Sequence, residues 1–241
     1  MSSRRILSLM GIAFGIFCGS NAHATPPAGP QASIGAEIAE LNFKDIRSLE
    51  RNLSELGSHR AYVFAFTTTQ CPLVKRYLPK LVDLSKKYQD QDVVFVAVNV
   101  GPYDTIRDMA SQAIDFDAPF TFVKDYDLSC ATALGATRTP QVVVLDHEHR
   151  LRYRGRIDDQ IRLGGALPQA SRNDLDQALA ELLADEPISV PETPVDGCVI
   201  TPATPPQKIY YHESNLPPRY RRFLPSTQGH VKRIPLPHFR C

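Results

Sequence analysis

The chain has no tryptophan, and its 5 cysteines in 241 residues never stand as C-x-x-C. So few cysteines cannot staple a disulfide-dense scaffold. The missing C-x-x-C also removes zinc ribbons, zinc fingers and a haem attached through C-x-x-C-H. No apolar run approaches the ~20 residues of a membrane-spanning helix. Neither charge dominates, since the net is +1. That sum hides a segregation: residues 1–24 carry +2, residues 200–241 carry +6, and residues 25–199 carry −7. An acidic centre is a poor partner for nucleic acid, whose phosphates need a basic face. The basic end reads as solvated tail. With 43% hydrophobic and 22% charged residues, the composition is that of a globular protein. The length fits one domain with extensions.

What is present divides the chain into four. Arg4 and Arg5 precede the apolar run Ile6–Phe17, and Ala22-His23-Ala24 follows. A charged start, a short apolar run and an A-x-A site describe a secretory signal peptide over 1–24, cut after Ala24. The mature protein is therefore expected outside the cytoplasm, periplasmic or secreted, where disulfides persist. Residues 25–33 read as a Pro/Gly linker. Apolar periodicity is continuous over 34–186. The extension 187–241 holds 11 of the 20 prolines and reads as irregular.

Within the central part, Ala61–Phe66 and Val93–Val98 are apolar runs suited to strands buried on both faces. Between them, Val74, Tyr77, Leu78, Leu81, Leu84 and Tyr88 recur at three- and four-residue steps, the pattern of a helix from Pro72 to Tyr88. Helices are expected over Asp104–Ala113 and Leu128–Leu134, and a short strand over Phe120–Val123. Gln141–Leu145 and the alternating segment from Leu151 to Ile157 form a hairpin turning at His147-Glu148-His149. Ser171 is expected to cap a last helix ending at Leu183. The order implies an α/β sandwich with a mixed central sheet.

Cys71 stands where the first buried strand gives way to the amphipathic helix. A thiol there faces unpaired backbone N–H groups and the positive end of the helix dipole, which favour the reactive thiolate. Pro72 suits the first helical position, where its missing N–H has no partner to lose. The second thiol, if the chain supplies one, is Cys130, Cys198 or Cys241, since Cys18 leaves with the leader. Spacing does not choose among them. His147 and His149 lie in a turn, with His212, His230 and His238 scattered beyond, so polar surface histidines are expected rather than a metal site. No cofactor is expected.

Cys71-Pro72 after an apolar strand, Pro79 eight residues on, Thr139-Pro140 before QVVVLD, and the segment Arg154–Asp159 together resemble the redoxin branch of the thioredoxin-like superfamily. That branch includes peroxiredoxins and extracytoplasmic thiol–disulfide proteins. The resemblance implies a three-layer thioredoxin-like sandwich with Cys71 as nucleophile, a cis Thr139-Pro140 peptide packed against it, and Gln70, Pro72 and Thr68 bordering it. It departs in two places. Val74 replaces the second cysteine of thioredoxins, and Phe64 replaces the proline of the peroxiredoxin motif, leaving Thr68-x-x-Cys71. Arg138 is the nearest candidate for the peroxiredoxin arginine. The segment Gly197-Cys198-Val199-Ile200 is similar to one in related proteins that follows the final helix, and by that analogy Cys198 pairs with Cys71. The resemblance thus implies a thiol–disulfide oxidoreductase drawing on an outside thiol donor. A hydroperoxide reductase using Thr68 and Arg138 is the alternative, and a non-catalytic scaffold for a partner protein is the third reading.

Overall fold

A computed structural model of the protein describes residues 31–203, except residue 163. The expected leader, most of the linker, and the tail with Cys241, His212, His230 and His238 lie outside the described residues. In chain order the elements are β1 (Asn42–Asp45), β2 (Glu50–Asn52), β3 (Ala61–Thr67), α1 (Pro72–Tyr88), β4 (Val93–Asn99), α2 (Ile106–Asp115), β5 (Thr121–Lys124), α3 (Ser129–Leu134), β6 (Arg138–Thr139), β7 (Gln141–Asp146), β8 (Leu151–Gly155), β9 (Ile161–Arg162), β10 (Gly165–Ala166), α4 (Asp174–Leu183) and β11 (Cys198–Val199).

The seven residues of β3 are all buried, and their alternation builds two cores. Ala61, Val63 and Ala65 face α1, α2 and α4. Tyr62, Phe64 and Phe66 face α3 and the segment before β1. A strand covered on both sides needs no polar face, which is why AYVFAF is unbroken. The main sheet runs β2-β1-β5-β4-β3-β7-β8. Its centre, β5-β4-β3, is parallel, while β1 and β7 join it antiparallel. This is the expected three-layer α/β sandwich with a mixed sheet, and beyond α4 the described chain is irregular except for β11.

Three local expectations need correcting. α2 begins at Ile106, because Thr105 and Asp108 form a capping box that fixes its first turn. Ser171 does not cap α4. Its N–H donates to Asp159 Oδ1 at 2.7 Å, and the cap position falls to Asn173. The Asn173 side chain accepts from Lys80 Nζ at 2.7 Å instead of capping. Finally, the hairpin of β1 and β2 was not expected, being four and three residues long and largely polar. Asp45 makes it, accepting from the N–H groups of Arg47 and Leu49 at 2.8 and 3.0 Å.

Candidate active site

Cys71 occupies the N-cap of α1 with extended backbone, φ −73° and ψ 119°, and its side chain makes no capping bond. The thiol thus stands at the positive end of the helix, beside the N–H groups of Leu73 and Val74. The loop between β3 and α1 is held from beneath. Thr69 donates through its N–H and hydroxyl to Asp104, at 2.7 and 2.6 Å. Asn99, which ends β4, donates to the same carboxylate at 2.9 Å. Buried Lys124, which ends β5, donates to Asn99 Oδ1 at 2.7 Å and to the Gly101 carbonyl. The C-terminal ends of three neighbouring strands thus fix one loop. Thr68 completes it, its hydroxyl oxygen accepting from the Cys71 N–H at 3.2 Å.

Cys71 is only 2% exposed. Its sulfur lies 3.4 Å from the Thr139 carbonyl and 2.8 Å from the sulfur of Cys198. Both thiols are free, and Cys198 is exposed. Cys198 arrives on β11, which pairs antiparallel with β6 so that Cys198 stands opposite Thr139 and Val199 opposite Arg138. The Thr139-Pro140 peptide is cis. Gly197 is required: a Cβ there would lie 2.2 Å from the Thr139 carbonyl oxygen. Arg138 Nη1 donates to the Gly197 carbonyl at 2.9 Å, so this guanidinium clasps β11.

The two thiols are pushed in opposite directions. Burial opposes ionisation of Cys71, but the Cys198 thiol, the N–H groups of Val74 and Leu73, and the Thr139 side chain outweigh it and hold the pKa below the ordinary thiol value. Cys198 is pushed up to about 11, first by burial, then by its hydrogen bond to Cys71 and the charge there. Cys130 is raised strongly, by burial first and by Asp125 and Asp127 next. Its sulfur donates to the Asn42 carbonyl at 3.1 Å, on the other side of the sheet from α1.

Of the residues singled out in the sequence, Cys71, Thr68, Arg138, Thr139, Pro140 and Cys198 gather at one place. Pro72 begins α1 there and is exposed. Gln70 is also exposed, its amide 3.4 Å from the Thr69 hydroxyl. Thr69, Asn99, Asp104 and Lys124 were missed. Their signal is that polar residues end the apolar strands VVFVAVN and TFVK at the strand ends where α/β sites gather.

The Redoxin family model matches residues 45–172. Among solved structures, a hypothetical protein from Sinorhizobium meliloti 1021 is 25% identical with a TM-score of 0.64, covering 72% of this chain and 97% of that one. An uncharacterized conserved protein from Geobacillus kaustophilus is 27% identical with a TM-score of 0.63, covering 72% of this chain and 93% of its own. A protein from Chlorobium tepidum, provisionally described as the thiol:disulfide interchange protein DsbE, shares the fold at 16% identity and a TM-score of 0.51, covering 63% and 98%. No curated protein matches the sequence.

Proposed function

Because the chain belongs to the redoxin family, which covers residues 45–172, we propose that it is an extracytoplasmic thiol–disulfide oxidoreductase with Cys71 as attacking thiolate and Cys198 as resolving thiol. The observation that carries this reading is the 2.8 Å contact between two free thiols of opposite acidity. In the first step the Cys71 thiolate attacks a substrate disulfide. One S–S bond forms to Cys71 as the substrate's own breaks, and a substrate thiolate leaves. Cys198 then gives up its proton and attacks the Cys71 sulfur, releasing the second substrate thiolate. The substrate gains two electrons, and the protein is left with a Cys71–Cys198 disulfide that an outside thiol donor must reduce. Cys71 is the better leaving group of the pair, so that reduction is favoured too. The location rests on the leader over 1–24.

A second reading is supported by Thr68, whose hydroxyl adjoins the Cys71 backbone. There Cys71 reduces a hydroperoxide to an alcohol, becoming a sulfenic acid, and Cys198 condenses with it to release water. Pro140, Thr139, Gln70 and Pro72 border the approach in either case, and Arg138 contributes through its hold on Gly197.

Peptide mapping of mature protein treated with one equivalent of oxidant tests the pairing. The expected product loses two hydrogens and links Cys71 to Cys198, while Cys198→Ser accumulates a sulfenic acid or mixed disulfide on Cys71. A Cys71–Cys130 bond, or a Cys198 that stays reduced, overturns it. Turnover of hydrogen peroxide against that of a disulfide decides between the two substrates.

A further inference from the structure

The low-pKa sulfur is the hidden one. Cys71 is 2% exposed, whereas the thiol that touches it is exposed. The Cys198 sulfur lies 2.8 Å from that of Cys71, and the end of the described chain that carries it is tied down twice. Thr193 fastens it to β8. Its N–H donates to the Arg154 carbonyl at 3.2 Å, and its hydroxyl oxygen lies 2.8 Å from Tyr153 Oη and accepts from the Arg156 N–H at 3.0 Å. The second tie is at β6. It comprises the β11 pairing, the Ile200 N–H on the Thr137 carbonyl at 2.9 Å, and the Arg138 clasp on Gly197. Only residues 194–196 separate the two ties.

A peptide disulfide attacked in line brings flanking backbone with it, and the Cys198 sulfur, 2.8 Å from that of Cys71, leaves no room for that backbone on its side. A hydroperoxide brings two oxygen atoms and passes with a rotation of the Cys198 side chain. We infer that residues 194–200 are a size-selecting cover, which admits small hydroperoxides to Cys71 while it is clasped and peptide disulfides only when it lifts from β6. The inference rests on the reading of Cys71 as the attacking sulfur and names the substrate class that reaches it first. With the cover in place, the Cys71 thiolate attacks one peroxide oxygen. The S–O bond forms as the O–O bond breaks, the departing oxygen takes a proton from water, and sulfur is oxidised by two electrons. Cys198 then condenses with the sulfenic acid, its S–S bond forming as water leaves, without moving away from β6.

Gly197→Ala isolates the cover. The new Cβ would lie 2.2 Å from the Thr139 carbonyl oxygen, a backbone atom that cannot swing aside, so β11 is expected to lift. Reduced full-length mature protein is mixed with either hydrogen peroxide or a small peptide closed by one disulfide. The first modification of Cys71 is timed by acid quench, alkylation and mass mapping. In Gly197→Ala the peptide-disulfide rate is expected to rise about tenfold, the effect of losing one or two hydrogen bonds from a local closure. At a pH above the Cys71 midpoint of both proteins, the peroxide rate is expected to stay within about twofold, since its path is not the limiting opening. Thr193→Val, which loosens the other tie by removing the hydroxyl between Tyr153 and Arg156, moves the ratio of the two rates the same way. A ratio unchanged in both variants, or equal acceleration by both oxidants, overturns the cover as a selector. Failure of both oxidants to modify Cys71, in the unaltered protein and in Gly197→Ala alike, overturns the underlying assignment of Cys71 instead.

Discussion

Three cysteines of one chain sit in three electrostatic settings, and position explains each. Cys71 meets donors: backbone N–H groups at a helix start and the thiol of Cys198. Cys130 meets apolar side chains and the carboxylates of Asp125 and Asp127, which favour the neutral thiol. Reactivity follows the thiolate fraction, so alkylation of Cys71 is expected to reach half its maximal rate below the ordinary thiol pKa of about 8.5. Cys130 is expected to stay inert well above it. Since the Cys198 thiol is a donor to Cys71, Cys198→Ala moves the Cys71 midpoint upward. A pH series of iodoacetamide labelling read by mass spectrometry checks all three, and an unmoved midpoint removes Cys198 from the account. The low pKa of Cys71 was legible in the sequence, because Cys-Pro between an apolar strand and an amphipathic helix fixes the thiol at an N-terminus. The raised pKa of Cys130 was not, since it depends on carboxylates placed by the fold.

At the scale of elements, periodicity carried what is long and buried on a full face. β3, β4, β7 and α1 stand within a residue of their expected limits, because a seven-residue apolar run or a seventeen-residue stripe leaves little choice. β1, β2, β6 and β11 were invisible for the opposite reason. Each has two to four residues, and their pairing is set by Asp45 or by a neighbouring strand rather than by an alternating pattern. The same applies to the loop before Cys71. Its support by Asp104, Asn99 and Lys124 is a contact between three elements that no local spacing encodes. Asp104→Ala would leave the Thr69 N–H, the Thr69 hydroxyl and the Asn99 amide without their common acceptor. At about 1–3 kcal/mol for a buried donor left unpaired, and with water repairing part of the loss, a destabilisation of about 2–4 kcal/mol is expected in urea unfolding. Cys71 labelling should slow in parallel as the loop loosens. A change below about 0.5 kcal/mol would mean that the network is not structural support.

The whole molecule joins residues 127 apart in sequence at the pair Cys71 and Cys198. Linking them closes a loop that includes every layer of the sandwich, so oxidation should remove much of the unfolded chain's freedom. The loop-closure model gives about 4–5 kcal/mol for this length. Oxidised protein is expected to melt above reduced protein, and Cys198→Ser is expected to abolish the difference. Equal melting temperatures of the two forms, with the disulfide confirmed by mapping, would contradict the expectation. The passage of the chain beyond α4 has a further consequence, for colloidal behaviour. β8 is the last strand on its side of the sheet, and its outer polar groups would be a template for another chain. Before reaching β11, the segment around Glu192 lies along that strand: the Arg154 N–H donates to the Pro191 carbonyl at 2.9 Å, and Glu192 bridges to Arg154 in parallel register. On the far side the sheet ends in the three residues of β2, Glu50-Arg51-Asn52, too short and too charged to recruit a neighbour. The proline-rich passage therefore does for β8 what brevity and charge do for β2, keeping seven strands from becoming the seed of an edge-to-edge aggregate.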